Sequence, residues 1–525
     1  MGEYDECLAV ENPTDSTYQT QFCWAHLNIP IGKILSKSGD AVKTVATTCG
    51  AGSPTDVKMS ICMPKSCSEH DLKLAINRLS IIPVPHANQS IFQKTADERE
   101  KFVCDVSCRP TEFHPDNLFY VVTVMLLVTV ILCVFATVAD FYQEQEQDYG
   151  SYEEHELAGD SKIVKKAPRR QADGFLKYFL AFSMLSNGRS LLRISKNPNN
   201  LKGVECIRFL SFTWVVSGHI WGDWEDADNP LKVIDILKTR DYEIWINAFF
   251  SVDTFFFLSG LMLSYSFLPK LTIRKALSPG VWLIFYLHRI LRLTPAYLTF
   301  ILFYTTYGPM TDFGPNEIVK RQDMENCRYY GWKNLLYINN LYEPRKNCLS
   351  ISWYMAADTQ MYLVSPFFLV AFLLGPIPGV IVAFLVIVVS VLINYWLFMH
   401  YDLPLTLIQA YMTGDQKIIH IVQDLVYEAA YVRIPPFIFG IVMGYFLWKT
   451  RDVKRIRMNT GVTFALWITS AILALGSIFI IHTYNKGEYW SIMERASYYA
   501  WSRIAWSCAL SWLIFAVNRQ QSGQF

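Results

Sequence analysis

The chain has 525 residues, of which 52% are hydrophobic and only 18% are charged, and its formal net charge at pH 7 is +1. A net charge this close to zero gives no reason to expect a nucleic acid or another strongly charged partner. The apolar residues gather in stretches of about 20, each long enough to cross roughly 30 Å of hydrocarbon, which excludes an ordinary soluble protein.

The first predicted unit, residues 1–117, is polar and holds seven of the 12 cysteines. This density predicts a disulfide framework and therefore an extracellular or lumenal segment, because disulfides persist in oxidising compartments. Zinc binding is the weaker interpretation, since the close cysteine pairs lack a two-residue spacer and clustered histidines. The glycosylation sequon at Asn88 agrees with exposure outside the cytosol. The candidate disulfide cysteines of this unit are Cys7, Cys23, Cys49, Cys62, Cys67, Cys104 and Cys108.

The composition changes abruptly after this unit. Residues 118–142 are predicted to form the first transmembrane helix, and residues 143–203 a polar cytosolic connector whose charge runs are typical of a solvated linker. Residues 204–525 form the predicted membrane domain, with eight more apolar stretches. Together these predict an all-α polytopic membrane protein with about nine spans. The eight stretches are 204–222, 243–267, 282–307, 351–373, 376–399, 432–448, 462–482 and 497–517.

The orientation follows from counting spans. If the N-terminal unit lies outside, the basic residues between 449 and 457 fall in a loop on the cytosolic side, as the positive-inside tendency requires. The loop at 308–350 then lies outside, where Cys327 and Cys348 are candidates for a further disulfide. The chain is therefore expected to be an integral membrane protein of the secretory pathway, at the plasma membrane or the endoplasmic reticulum.

Titratable residues inside apolar stretches are candidates for function, because a charge at membrane depth costs a few kcal/mol on insertion scales. Arg208 and His219 are eleven residues apart, so they share one helix face and lie about 16 Å apart along the axis. Asp253 and Asp358 are expected at the depth of His219, where either could pair with the imidazole. A lone histidine near a helix end is more commonly a packing or interfacial residue, but the aligned arginine favours a functional site.

Arg289 and Arg292 form an i, i+3 pair that is expected near the cytosolic end of its span. One interpretation is that both side chains reach towards lipid phosphates. The other is a cationic site for a polyphosphate ligand from the cytosol, since guanidinium groups match phosphate geometry.

These residues stand in sequence motifs that resemble a known family. The arginine and histidine separated by ten residues, then SVDTFFFLSG, HRILRLTP and SWYMAADTQMYLVSP, resemble in order the motifs of the membrane acyltransferase-3 family. More narrowly, YDECL, ICMPKSC and FSMLSNGRSLLRIS resemble its animal branch, the nose-resistant-to-fluoxetine proteins. The resemblance covers nearly the whole chain.

The resemblance implies transfer of an acyl group, in bacterial relatives from cytosolic acyl-CoA to a hydroxyl across the membrane. Arg208 and His219 match the essential pair of the family, Asp253 matches an acidic position, and Arg289 and Arg292 match its inner arginine motif. At Asp358 the sequence departs from the glutamate pair of bacterial members. Members of the family continue for two or more spans beyond the last residue of this sequence. The N-terminal unit has an odd number of cysteines and no apolar leader before it. We therefore expect a chain shortened at both ends.

The preferred hypothesis is a membrane O-acyltransferase with acyl-CoA as co-substrate and no metal. Arg208, Arg289 and Arg292 would bind the phosphates of acyl-CoA. His219 would act as general base on the acceptor hydroxyl, oriented by Asp253 or Asp358. The partners are membrane lipid and an acceptor that is a glycan, a lipid or a protein. Two alternatives stay open: a lipid or drug carrier without covalent chemistry, and an inactive shortened form that acts through its outer domain.

Overall fold

The computed structural model describes residues 6–7, 9–10, 19–28, 56–79, 103–108, 115–158, 174–193, 201, 203–222, 236, 238–311, 317–413, 415–453 and 458–519. Most of these residues are helical, and the disulfides of the N-terminal region accompany a small sheet. The predicted class, an all-α membrane protein with a small disulfide-rich N-terminal domain, is therefore confirmed.

The N-terminal region is a three-stranded antiparallel sheet of β1 (Thr20–Asn28), β2 (Asp56–Pro64) and β3 (Val103–Cys108) in the order β2-β1-β3. Helix α1 (Glu69–Leu79) packs its apolar face on the buried side of this sheet. Ser68 and Asp71 exchange the hydrogen bonds that cap its first turn, which places the start of the helix directly after the second strand.

Two disulfides hold this sheet together, Cys7–Cys62 and Cys23–Cys108, so the predicted disulfide framework is confirmed for these four cysteines. Cys67 carries a free thiol, so the prediction that it forms a disulfide is wrong. The remaining predictions for this region, which concern Cys49, the side chain of Cys104 and the glycosylation of Asn88, lie outside the described residues.

The segment from 113 to 200 forms a separate compact unit. Its long helix α2 (Asn117–Ala158) extends beyond the predicted end of the first span, so part of the expected connector is helical. Two short helices follow, α3 (Phe175–Leu180) and α4 (Met184–Leu192). Asp140 of α2 is buried and accepts hydrogen bonds from the hydroxyls of Ser183 and Ser186, both at 2.6 Å. This polar contact fixes the start of α4 against α2.

The remaining described helices, from 204 to 519, form the membrane domain. Short helical turns join several of them: 3-10 turns at Leu268–Lys270 and Ser350–Ser352, and a π-helix at Val422–Tyr427. The helices are α5 (Val204–Gly222), α6 (Glu243–Ile246), α7 (Phe249–Phe267), α8 (Ile273–Ala276), α9 (Pro279–Thr311), α10 (Glu317–Leu335), α11 (Trp353–Leu374), α12 (Pro376–Tyr401), α13 (Leu407–Thr413), α14 (Gln416–Ile421), α15 (Ala430–Lys449), α16 (Thr460–Phe479), α17 (His482–Asn485) and α18 (Ile492–Asn518).

Seven helical segments of the described residues are long and apolar enough to cross a membrane, so the predicted count of about nine spans is not confirmed. Two of the predicted stretches contain no segment that is long and apolar enough to cross a membrane. These stretches correspond to α5 and α9. Both carry charged and titratable side chains, which lower their mean hydropathy. The seven segments are Asn117–Gln145, Phe249–Lys270, Ser350–Leu374, Pro376–Tyr401, Gln416–Lys449, Thr460–Asn485 and Ile492–Asn518.

Helices α7 and α15 pack unusually close to each other, through glycine. A Cβ atom added to Gly260 would lie 2.1 Å from the carbonyl oxygen of Phe437, and one added to Gly440 would lie 2.0 Å from that of Phe257. Small residues at helix contacts in membranes allow backbones to approach in this way. This contact sets the spacing between the two helices that carry the central ion pair described below.

The Cys327–Cys348 disulfide predicted for the loop after α9 is present. It closes a sequence separation of 21 residues, for which the chain-entropy model gives about 3 kcal/mol of stabilisation. We expect the double variant Cys327→Ala/Cys348→Ala to unfold at a lower temperature than the parent protein in detergent. Cys206→Ala, which removes an exposed free thiol, is the control and should leave the unfolding temperature unchanged. Equal unfolding temperatures for the double variant and the control would contradict this prediction.

Candidate functional site

A cavity of about 210 Å³ lies where the end of α5 meets the start of α7. Its wall is largely apolar and comes mostly from residues of 245–252, from the stretch 405–408 and from the π-helix. The polar side chains at this wall are few: His219, Thr406, Tyr427, Tyr499 and Arg503. An apolar cavity with a small number of converging polar groups is the usual form of a small-molecule site.

His219 reaches this cavity because α5 ends against α7. A Cβ atom on Gly218 would lie 2.4 Å from the Cβ of Ala248, so only glycine allows this approach. The imidazole is exposed and makes no hydrogen bond with the described residues. It is therefore available to a ligand in the cavity.

Next to the cavity lies a buried cluster of two arginines and one aspartate from three helices. Asp253 of α7 accepts a hydrogen bond from Nη1 of Arg433 at 3.1 Å, and its other oxygen is 3.4 Å from Nε of Arg503 on α18. Asp253 and Arg433 are completely buried, and Arg503 is 2% exposed. The cluster carries one surplus positive charge.

Aromatic rings and backbone carbonyls enclose Arg433. Its guanidinium carbon lies 4.9 Å from the ring centre of Trp353 and 4.6 Å from that of Tyr427, and its Nε donates to the carbonyl oxygen of Tyr427. Cation–π contacts of this kind are strongest where water is excluded. The same tyrosine belongs to the π-helix, a rare form that occurs often at functional sites.

The start of α15, which presents Arg433, is shaped by two prolines. Pro435 and Pro436 have no backbone N–H, so the carbonyl oxygens of Tyr431 and Val432 lose their partners in the helix. The hydroxyl of Ser390 on α12 donates to these two oxygens, at 2.7 Å and 3.4 Å. Satisfying freed carbonyls from a neighbouring helix is how membrane proteins tolerate proline.

A second ion pair joins α9 and α11. Arg289 forms a salt bridge with Asp358, and its guanidinium carbon lies 4.1 Å from the ring centre of Tyr362. The sequence placed Arg289 at the cytosolic end and Asp358 in the outer half of the membrane. Their contact shows that both lie at one depth, because Arg289 is ten residues, about 15 Å, into α9.

The other predicted cations are placed differently. Arg208 is exposed and pairs with Glu205 on the same helix at 2.8 Å, a contact that stabilises little at a surface. Arg292 is also exposed and forms no ion pair with the described residues. Arg208 lies ten residues before Gly218, about 15 Å from the His219 end of the helix. Both residues thus lie on one unbroken helix, Val204–Gly222.

The expected pairing of His219 with an aspartate is wrong for the described side chains. Asp253 contacts Arg433 and Arg503, and Asp358 contacts Arg289. A permanently charged guanidinium compensates a buried carboxylate more fully than an imidazole does. Sequence reasoning missed Arg433 and Arg503, although single arginines within the apolar runs YVRIPPFIFG and WSRIAWS were a visible signal.

The described residues contain no group of three or more His, Cys, Asp or Glu side chains that could hold a metal ion.

Comparison with known proteins gives two family matches. The profile described as an acyltransferase domain matches residues 201–525, and the profile of the nose resistant-to-fluoxetine protein, N-terminal domain, matches residues 1–76. No solved structure matches the chain.

Two proteins of Caenorhabditis elegans are among its relatives. The chain is 28% identical over 586 aligned residues to "Nose resistant to fluoxetine protein 6", a match that covers 100% of the chain and 66% of that protein. It is 26% identical over 339 residues to "Regulator of hypoxia-inducible factor 1", which covers 61% of the chain and 64% of that protein. The chain thus spans about two thirds of the length of the first relative.

Proposed function

Because this chain belongs to the acyltransferase-3 family and carries a nose resistant-to-fluoxetine N-terminal domain, we propose that it is a membrane O-acyltransferase. It moves an acyl group from acyl-CoA to a hydroxyl acceptor at or across the membrane. Family membership supplies the reaction class, and the arrangement of side chains around the cavity supports the assignment of roles.

The observation that carries this proposal is the cavity that His219 shares with Arg503. A histidine without a competing hydrogen bond can accept the proton of a hydroxyl, as a general base must. The apolar wall accommodates the acyl group. His219 is therefore assigned as the general base.

The exposed arginines are assigned to the co-substrate. Arg208 lies about 15 Å from the cavity end of α5, and the extended pantetheine arm of acyl-CoA can bridge such a separation. Arg208 would bind its phosphates at the cytosolic end of α5, since no buried carboxylate holds it. Arg292 is exposed too, but it lies three residues further into α9 than Arg289 and would meet the co-substrate deeper in the membrane. Arg289 acts with them only indirectly, because Asp358 already neutralises it.

The disulfides of the N-terminal domain support an extracellular or lumenal position for that domain, in a protein of the secretory pathway. His219 then faces the same side and Arg208 the cytosol. On this assignment the donor enters from the cytosol, and the acceptor is a glycan, a lipid or a protein reached from the opposite side.

We expect His219→Ala to lower acyl transfer by roughly 10²- to 10⁴-fold, because the acceptor hydroxyl loses its general base. The measurement is incorporation of label from radiolabelled short-chain acyl-CoA into lipid, glycan and protein fractions of membranes that contain the full chain. His400→Ala is the matched control, since His400 stacks on Trp396 of α12 and does not line the cavity.

Equal transfer by His219→Ala and the parent protein would contradict the assignment. Movement of labelled lipid across the membrane without release of CoA would instead identify a carrier, the alternative class.

A further inference from the structure

From the charges and the volume of the cavity, and on the basis of the proposed function, we infer that Arg503 binds the carbonyl oxygen of a short acyl group. The acyl chain lies along the apolar wall and has at most about eight carbons. Arg503 is then a catalytic residue that stabilises the oxyanion of the transfer reaction. Three observations support this assignment: charge, free hydrogen-bond donors and volume.

The first observation is the surplus charge. Asp253 is shared between two arginines, so one positive charge of the cluster has no carboxylate of its own. The buried Glu428 forms no salt bridge with either arginine among the described residues, and its carboxylate accepts a hydrogen bond from Nε2 of Gln423 at 3.0 Å. An uncompensated charge is costly in a buried site, so the cavity favours an oxygen that carries negative charge.

The second observation distinguishes the two arginines. Arg433 donates to Asp253 and to the carbonyl oxygen of Tyr427, and its Nη2 is buried without a hydrogen bond, but it does not line the cavity. Arg503 lines it and donates from Nη1 to the carbonyl oxygen of Tyr499 at 2.9 Å. Its Nε faces Asp253 at 3.4 Å, and its Nη2 makes no hydrogen bond with the described residues. Arg503 is thus the arginine that lines the cavity with an unused donor.

The third observation is the volume. A dry apolar cavity of about 150 Å³ holds benzene, with six carbons, so the 210 Å³ here accommodates roughly eight carbons in proportion. The wall beside Arg503 is formed by apolar side chains such as Phe249, Val252 and Val422. Such a wall suits an aliphatic chain and does not suit a hydrated phosphate. A palmitoyl chain is too long for this volume to enclose.

The transfer consists of an addition to the thioester and an elimination of CoA. The acceptor oxygen forms a bond to the thioester carbonyl carbon while His219 takes its proton. The carbonyl electron pair moves onto the oxygen, and this oxyanion accepts hydrogen bonds from Arg503. The pair then returns, the carbon–sulfur bond breaks, and the CoA thiolate takes the proton from His219. Donors aimed at such an oxyanion commonly contribute about 10²- to 10³-fold in kcat.

The binding test uses hexanoate and 1-hexanol with the purified full chain in detergent. Hexanoate should raise the unfolding temperature and 1-hexanol should not, because only hexanoate offers a charged oxygen to Arg503. The gain should disappear in Arg503→Gln and persist in part in Arg503→Lys. Arg189→Gln, an exposed arginine on α4, should respond like the parent protein. Equal responses to both compounds, or an undiminished response in Arg503→Gln, would overturn the inference.

The transfer test compares acyl-CoA donors. Arg503→Gln should lower kcat with hexanoyl-CoA by about 10²-fold while KM for the donor changes little. Equal transfer from palmitoyl-CoA and hexanoyl-CoA by the parent protein would overturn the size limit. Binding of hexanoate that depends on Arg503, without any acyl transfer, would reject the proposed function and retain the anion site. If the variants do not fold, the comparison of hexanoate with 1-hexanol still decides.

Discussion

Asp253→Ala is expected to destabilise the membrane domain by about 3–5 kcal/mol and to abolish acyl transfer, because it leaves two arginines buried without a counter-charge. Arg433 is completely buried between two aromatic rings and cannot reach water. Arg503 would lose the carboxylate that orients it towards the cavity. The measurement is the unfolding temperature in detergent together with the yield of monodisperse protein.

Asp402→Ala is the matched control. Asp402 also pairs with an arginine, Arg495 at 2.6 Å, but its side chain is 69% exposed, so loss of the pair should cost less than about 1 kcal/mol. Alanine at the left-handed φ of 50° adds about 1 kcal/mol, which keeps the total below the cost expected for Asp253→Ala. Asp253→Ala combined with Arg503→Gln should recover part of the lost stability, since it removes one of the two unpaired charges. If Asp253→Ala unfolds at the same temperature as Asp402→Ala, the cluster is not the electrostatic centre of the fold.

Gly440→Ala is expected to cost on the order of 4 kcal/mol, an exceptional value for one added methyl group. The new Cβ would lie 2.0 Å from the carbonyl oxygen of Phe257, which is backbone and cannot move aside as a flexible side chain could. α7 and α15 would have to separate. Gly440 follows Arg433 by seven residues, and Gly260 follows Asp253 by seven, so the separation would also stretch the ion pair about 10 Å away.

Gly476→Ala provides the comparison, because its Cβ would meet only the end of the Ile480 side chain at 3.4 Å. This substitution on α16 should be neutral or stabilise by up to about 1 kcal/mol through helix propensity. Unfolding temperature and acyl transfer are measured for both variants. Similar behaviour of the two would contradict the role assigned to the close packing of α7 and α15.

The sequence predicts the membrane class well, because apolar stretches of span length can be read without knowing how the helices pack. It also identifies His219 and Asp253 as candidates, since charges at membrane depth are conspicuous. It does not predict which side chains these two residues contact. Asp253 meets Arg433, which is 180 residues further along the chain, and such a contact depends on how α7 and α15 pack. Periodicity within one helix carries no information about that packing.

Depth is the second quantity that the sequence predicts poorly. Counting residues from the ends of apolar stretches assumes helices of equal length and tilt, whereas α9 extends over 33 residues and α11 over 22. Arg289 and Asp358 were therefore assigned to different halves of the membrane although they form a salt bridge. The π-helix beside the cavity also has no signature in the sequence, because its hydrogen-bond pattern is a consequence of the packing around it.

The hydroxyl of Ser390 gives the lipid environment a means of influencing the site. It holds the two carbonyls freed by the prolines of α15, so α12 fixes the position of Arg433 from outside its own helix. The opposite face of α12 is exposed, with Leu385, Val389 and Leu392 each more than half accessible. A change in bilayer thickness that tilts α12 would therefore act on the start of α15, where Arg433 lies.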